Sequence, residues 1–203
     1  MKVYISPSDQ TANTYAAGNT NEAAQCREIA KLLVKALTRC GIEARTNVVS
    51  SMKNRVAEGN AWGADLYICL HTNAFNGKVS GTRLMVQSLS GERYKAAKCI
   101  FNSLSPVTPG TSENISARAT LYEINCTDAP CVYVEAEFHD VPTVAKWIID
   151  HKKDISEAIC QGVCNYAGIR YKPEETTPAE TGSNKITVSV TVNGKTYTHS
   201  FNG

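Results

Sequence analysis

His71, Glu135 and Glu22 are three side chains of this 203-residue chain whose types and positions could combine into one reacting centre. One imidazole and one carboxylate facing a gap are zinc ligands by type, and a second carboxylate nearby can take a proton from metal-bound water. Each also has a plain structural reading. A histidine at a strand end is often a core residue satisfied by a backbone carbonyl, and a glutamate there is often one half of a salt bridge, although the strand before Glu135 offers no cation beside it. The choice rests on whether the surrounding elements bring the three to one place.

The elements do point to one edge. Residues 66–70, Leu-Tyr-Ile-Cys-Leu, form a continuous β-prone run of the kind buried on both faces of a sheet. In an open α/β sheet the residue just past the carboxyl end of such a strand faces the ligand crevice, and that residue is His71. A second run, 131–134, ends in Glu135. A first strand over 2–6 leads through a polar loop into a helix that Thr20 or Asn21 can cap, with Glu22 in its first turn. Ile29, Leu32, Leu33, Ala36 and Leu37 then repeat at helical spacing until Gly41.

A short strand at 42–45, a helix bearing Val56 and Trp62, a strand at 82–87, a helix over 92–104 and a final helix over 146–167 complete the pattern. Residues 107–119 read as loop. Strands alternating with helices predict an α/β fold: a mostly parallel twisted sheet with helices on both faces. This domain is expected over 1–171, followed by a linker over 172–183. The Asn193-Gly194 pair between two alternating runs predicts a C-terminal β-hairpin over 184–203, an appendage or the start of a truncated module, which packs on the main domain or mediates self-association.

Composition narrows the partners. A net charge of +2 with no clustered basic run argues against nucleic acid. No apolar stretch is long enough to insert into a membrane, and no leader precedes the first strand, so the chain is expected to be cytoplasmic at synthesis. Eight cysteines sit inside apparent elements rather than in a disulfide framework. Cys160 and Cys164 are one helical turn apart and hint at metal. Without a second pair at matching spacing, they read as buried small hydrophobes in a reducing cell, like Cys26, Cys40, Cys69 and Cys131. No cysteine is assigned a catalytic role, and His151 and His199 read as surface residues.

With these residues in place, residues 2 to about 170 resemble the zinc-dependent N-acetylmuramoyl-L-alanine amidases of the amidase-3 family, found in autolysins and phage endolysins. Leu70-His71-Thr72-Asn73-Ala74 is similar to the family's strand-end motif. Pro130 through Phe138 resembles its proline, apolar strand, catalytic glutamate and aromatic. Glu22 stands at the family's offset from the helix body that includes Arg27-Glu28-Ile29-Ala30.

The resemblance implies hydrolysis of the amide joining N-acetylmuramic acid to L-alanine in peptidoglycan. Zn2+ would be held by His71 and Glu22 and would polarise the carbonyl and acidify water; Glu135 would act as base and then as acid, and Asn73 would steady the site or substrate. Glu137 shares strand parity with Glu135 and is the rival base. The missing leader favours a phage or prophage endolysin acting on the wall after release; a sporulation enzyme or autolysin remains open. The competing functions are a metal-free peptidoglycan-binding relative and a zinc peptidase cutting another wall amide.

One departure from the family stands out. Its first zinc ligand is a histidine after the first strand, where this chain has Ser6-Pro7-Ser8-Asp9-Gln10. Asp9 falls on the ligand position, but a second carboxylate would make the zinc's water less acidic. His139, four residues beyond Glu135, is the alternative third ligand, with Asp140 fixing its tautomer. Gln10 is expected to orient substrate or water.

Overall fold

A computed structural model describes residues 1–174, 186–192 and 195–201, the last two segments for their backbone only. The elements run β1 (Lys2–Pro7), α1 (Glu22–Arg39), β2 (Glu43–Thr46), α2 (Met52–Trp62), β3 (Leu66–Asn73), β4 (Arg83–Val86), α3 (Gly91–Leu104), β5 (Asn114–Ala117), α4 (Tyr122–Cys126), β6 (Cys131–Phe138), α5 (Pro142–Asp150), α6 (Lys152–Ala167), β7 (Ile186–Val192) and β8 (Lys195–Phe201). The chain divides into two compact units, Met1–Pro173 and Glu174–Gly203.

In the first unit, six strands form one sheet in the order β2-β1-β3-β6-β4-β5. The strand pairs are parallel except β4 with β6. The exception follows from connectivity. Parallel neighbours need a crossover, and the segment between β3 and β4 contains no helix, so β4 runs back antiparallel to the central strands. The expected α/β class therefore holds, with a mixed sheet.

The apolar runs in β1, β3 and β6 are buried on both faces, as continuous hydrophobic strands require. Val3, Ile5, Ile68, Leu70, Val132 and Val134 pack with Ile29 and Leu33 of α1, Ile100 of α3 and Ile159 of α6. On the other face Tyr4, Tyr67, Cys69 and Cys131 pack with Val56 of α2 and Ile124 of α4. This two-sided core fixes the central strands, and therefore the residues at their carboxyl ends.

Three local features differ from the sequence reading. The stretch 107–119 contains edge strand β5, whose Asn-Ile-Ser-Ala has too little apolar alternation to stand out. Tyr122–Cys126 is a short helix, below the length at which periodicity is visible. The final helix is two helices meeting at His151, where φ −116° and ψ 26° leave the helical region and Nδ1 bonds to the Trp147 carbonyl at 2.8 Å.

The second unit contains a two-stranded antiparallel sheet pairing Ile186 with Phe201 through Val192 with Lys195. The Asn193-Gly194 turn and most of the expected linker lie outside the described residues. Among the described residues, no helix is long and apolar enough to cross a membrane.

Candidate active site

His71 occupies the carboxyl end of β3, directly opposite Glu135 in the parallel β3–β6 ladder. Glu22 opens α1, whose start is fixed by Asn21 Oδ1 accepting from the Ala24 N–H at 2.9 Å. The cap aims Glu22 inward, where it is buried with Oε1 2.7 Å from His71 Nδ1. Its other oxygen accepts from Asn13 Nδ2 at 2.7 Å. The Gln10 carboxamide nitrogen stands 3.3 Å from the same His71 Nδ1. An imidazole, a carboxylate and a carboxamide from three separate elements thus converge.

The other side of the imidazole meets a residue the sequence reading missed. Glu123, on α4, places Oε2 3.9 Å from His71 Nε2. Its Oε1 accepts from Ser6 Oγ at 2.5 Å and from Tyr67 OH at 3.2 Å. Ser6 Oγ in turn accepts from the buried Arg55 Nε at 2.7 Å. The His71 ring lies on Tyr133, centroids 4.4 Å apart. Glu123 carried no sequence signal because a lone glutamate in a weakly patterned stretch looks like surface.

Three carboxylates around one imidazole set the electrostatics. Burial works against a charged His71, but Glu123 and Glu22 at its nitrogens, with Glu135 nearby, override it and push the pKa up to about 9. Burial is likewise the main cause raising Glu135 to about 8; the Glu22 charge adds to it and His71 opposes it. Glu22 is held below the usual carboxylate range: burial opposes this, but its hydrogen bond to His71 prevails. Glu135 Oε2 is enclosed with no hydrogen-bond partner. The cluster carries surplus buried negative charge and one unengaged carboxylate oxygen.

Glu137 is placed quite differently. The ladder shifts register between His71 and Asn73, and this irregularity separates Glu137 from the strand alternation that carries Glu135. Its Oε2 accepts from the Gly81 and Phe138 N–H groups at 2.7 and 3.0 Å, and its Oε1 from the Gly110 N–H at 2.8 Å. It ties two loops together. A Cβ on Gly110 would lie 2.1 Å from the Gly81 nitrogen, so only glycine permits this approach.

The remaining expected residues have their own partners. Asp9 Oδ2 accepts from the Met52 N–H at the start of α2 at 3.0 Å and lies 3.7 Å from Arg55 Nη2. His139 is buried, stacks on Tyr15 with centroids 4.9 Å apart, and places Nδ1 2.9 Å from Thr72 Oγ1. Asp140 receives the Phe75 and Gly77 N–H groups, each at 2.8 Å, instead of the His139 ring. Asn73 Oδ1 accepts from the Ala74 N–H at 2.9 Å.

Two cavities flank the cluster. One of about 270 Å³ is bordered by Gln10, His71, Glu123 and Tyr133. The other, of about 200 Å³, is bordered by Asn73, Arg83, Asn114, Arg118 and Glu135. A larger concavity of about 780 Å³, beside Tyr4, Arg45 and Trp62, shares no residue with either and contains no histidine.

The donor chemistry accommodates a divalent cation. The acidic surplus favours one, and the proton held between His71 and Glu22 lies where positive charge is wanted. No third histidine or carboxylate completes the set: among the described residues, three His, Cys, Asp or Glu donors lie within 4.8 Å of one another only in a cysteine group elsewhere. The Gln10 carboxamide is the nearest further polar group; its nitrogen faces His71 and its oxygen accepts from Asn13 Nδ2 at 2.9 Å.

The first unit is thus an α/β domain with an acidic, histidine-bearing cluster at the carboxyl ends of its central strands. Residues 4–165 match the family model described as N-acetylmuramoyl-L-alanine amidase, and the chain belongs to that family. It is 26% identical over 175 residues to an uncharacterized 38.4 kDa protein of Clostridium perfringens, covering 81% of this chain and 51% of that protein. The chain thus spans about half the length of that curated relative.

Among solved structures, an N-acetylmuramoyl-L-alanine amidase from Clostridium difficile 630 is similar at TM-score 0.75 and 20% identity, covering 82% of this chain and 96% of the other. AmiC2 of Nostoc punctiforme, another such amidase, gives 0.73 at 17%, covering 83% and 97%. The catalytic domain of the CD27L endolysin, which targets Clostridia difficile, gives 0.66 at 24%, covering 81% and 97%. At these identities the likenesses carry the fold.

Proposed function

We propose that this chain hydrolyses the amide between the lactyl group of N-acetylmuramic acid and L-alanine in peptidoglycan, using a zinc ion held by Glu22, His71 and Gln10. The observation that carries this reading is the convergence of those side chains, with His71 Nδ1 2.7 Å from Glu22 Oε1 and 3.3 Å from the Gln10 amide nitrogen, opposite Glu135, whose Oε2 has no hydrogen-bond partner. Gln10 replaces Asp9 and His139 as the third ligand in this proposal because its carboxamide stands against the His71 ring, and a turn of the amide that releases Oε1 from Asn13 Nδ2 would bring the oxygen to the same place, whereas Asp9 is held at the start of α2 and His139 Nδ1 by Thr72. A zinc ion there would supply Lewis-acid polarisation of the scissile carbonyl.

The chain's own residues perform the proton transfers. Burial pushes the Glu135 pKa up to about 8 in the metal-free protein; a cation bound beside it would favour the ionised form, and Oε2, which has no hydrogen-bond partner, could then accept the proton of an attacking water. The same oxygen then returns that proton to the leaving amine. Asn13 fixes the Glu22 carboxylate, and Glu123 at Nε2 holds the His71 ring so that Nδ1 faces Glu22 and Gln10. Asn73, Arg83 and Arg118 border the cavity next to Glu135 and would receive the stem peptide, whose carboxylates complement the two guanidinium groups.

The biological setting we propose is a phage or prophage endolysin, in keeping with the likeness to an endolysin catalytic domain. The hairpin of the second unit would contribute self-association by strand addition, which sedimentation of the full chain against a chain ending at Pro173 would test.

Purified peptidoglycan incubated with the zinc-loaded chain should yield new amino-terminal alanine, and Glu135→Gln should abolish it. Binding to peptidoglycan without any released amine would favour a non-catalytic wall binder. A different new amino terminus would indicate a peptidase.

A further inference from the structure

Three thiols meet on the far side of α1 from its capped start. Cys40 closes α1, while Cys160 and Cys164 stand one turn apart on α6. All three are buried, their sulfurs lie within 4.8 Å of one another, and Cys40 Sγ is 3.7 Å from Cys160 Sγ across 120 residues of sequence. The sequence offered Cys160 and Cys164 as half a metal motif; the fold supplies the missing partner.

We propose that Cys40, Cys160 and Cys164 form a structural site for a thiophilic divalent cation of the zinc type, separate from the cleft at His71. The spacing fits that chemistry. Two sulfurs bound at about 2.3 Å to one tetrahedral ion lie about 3.8 Å apart, whereas a disulfide requires about 2.05 Å. A fourth donor is at hand: the Lys172 carbonyl oxygen is 3.7 Å from Cys40 Sγ, a separation similar to that between the sulfurs.

Hydrogen-bond donors stand beside the group. The Lys172 N–H donates to Cys40 Sγ at 3.3 Å, a main-chain hydrogen bond that strengthens when the sulfur becomes a thiolate. Arg39 donates through Nε to the Lys172 carbonyl at 2.8 Å and through Nη2 to Glu157 at 2.5 Å, placing a guanidinium beside the group. Binding would break three S–H bonds, form three S–metal bonds and release three protons to solvent, with no change in oxidation state.

Such an ion would pin the end of α1 to α6 and to the segment after Gly168, where the first unit ends. The Cys69–Cys131 pair, at 3.5 Å between adjacent strands, has no third thiol and serves as a control.

The test uses the full chain carrying Glu22→Ala and His71→Ala, so that the cleft contributes no metal and failure of the amidase reading stays distinguishable. Cobalt(II) added to this reduced protein should bind at one equivalent with thiolate-to-cobalt charge-transfer absorption in the near ultraviolet. Adding Cys160→Ala or Cys164→Ala should remove that absorption, and Cys69→Ala should keep it. Should a cysteine variant fail to fold, the unsubstituted chain is loaded with zinc and titrated with an organomercurial, which should release one zinc equivalent as the three thiols react. No charge-transfer absorption, absorption that survives Cys160→Ala, or no thiol-linked zinc would overturn the proposal, as would a Cys40–Cys160 disulfide in the native protein.

Discussion

Exchanging Glu135 and Glu137 separately for glutamine should split stability from catalysis in opposite directions. Glu135 has a pKa of about 8 in the folded chain against an ordinary value of 4.5. At pH 7 the metal-free folded protein must therefore take up a proton that the unfolded chain has released, at about 3 kcal/mol. Glutamine, neutral in both states, removes that cost, leaving Glu135→Gln about 1–3 kcal/mol more stable in chelator, a rise of several degrees in Tm.

Glu137 accepts three main-chain N–H groups, two from loops that meet at Gly81 and Gly110. A glutamine amide turns one acceptor into a donor facing an N–H. Glu137→Gln should therefore cost about 2–4 kcal/mol while its folded fraction still cleaves. Thermal unfolding by circular dichroism and amine release from peptidoglycan at low temperature read the two effects. An inactive Glu137→Gln with unchanged Tm, or an active Glu135→Gln, would refute the assignment.

Other consequences are measurable. His71 and Glu135 both have raised pKa values, about 9 against 6.5 and about 8 against 4.5. Their contribution to stability is therefore complete at low pH, begins to fall above about pH 4.5 for Glu135 and about pH 6.5 for His71, and is lost by about pH 9. The Tm of the metal-free protein should decline across that window more steeply than that of a His71→Ala, Glu135→Gln double variant; parallel curves would contradict this. Gln10→Ala should weaken zinc binding by about tenfold or more in a competition with a chromophoric chelator, whereas His139→Asn should leave it unchanged. In Gly162→Ala the new Cβ would fall 2.4 Å from the Ile100 Cα, forcing α3 from α6 at about 1–3 kcal/mol, seen as a lower denaturant midpoint.

The sequence made the scaffold legible where the pattern was strong. The apolar runs of β3 and β6 and the capped periodic helix α1 carry signals that local physics enforces. It was silent where tertiary contacts decide. β5 and α4 are too short and too polar to register, yet α4 delivers Glu123 to His71. Strand parity alone could not separate Glu135 from Glu137, because the register shift that divides them arises between two strands far apart in the chain. Gln10 was expected to orient substrate or water and Asp9 to stand at the ligand position; the loop fold turns Asp9 toward α2 and Gln10 toward His71.

The most direct test is cleavage of a synthetic muramyl peptide in water enriched in oxygen-18, followed by mass spectrometry of both products. The account predicts one heavy oxygen in the muramic acid carboxylate, an unlabelled peptide with a free alanine amine, and neither product from Glu135→Gln. Heavy oxygen in a peptide carboxylate, or unchanged cleavage by Glu135→Gln, would contradict it.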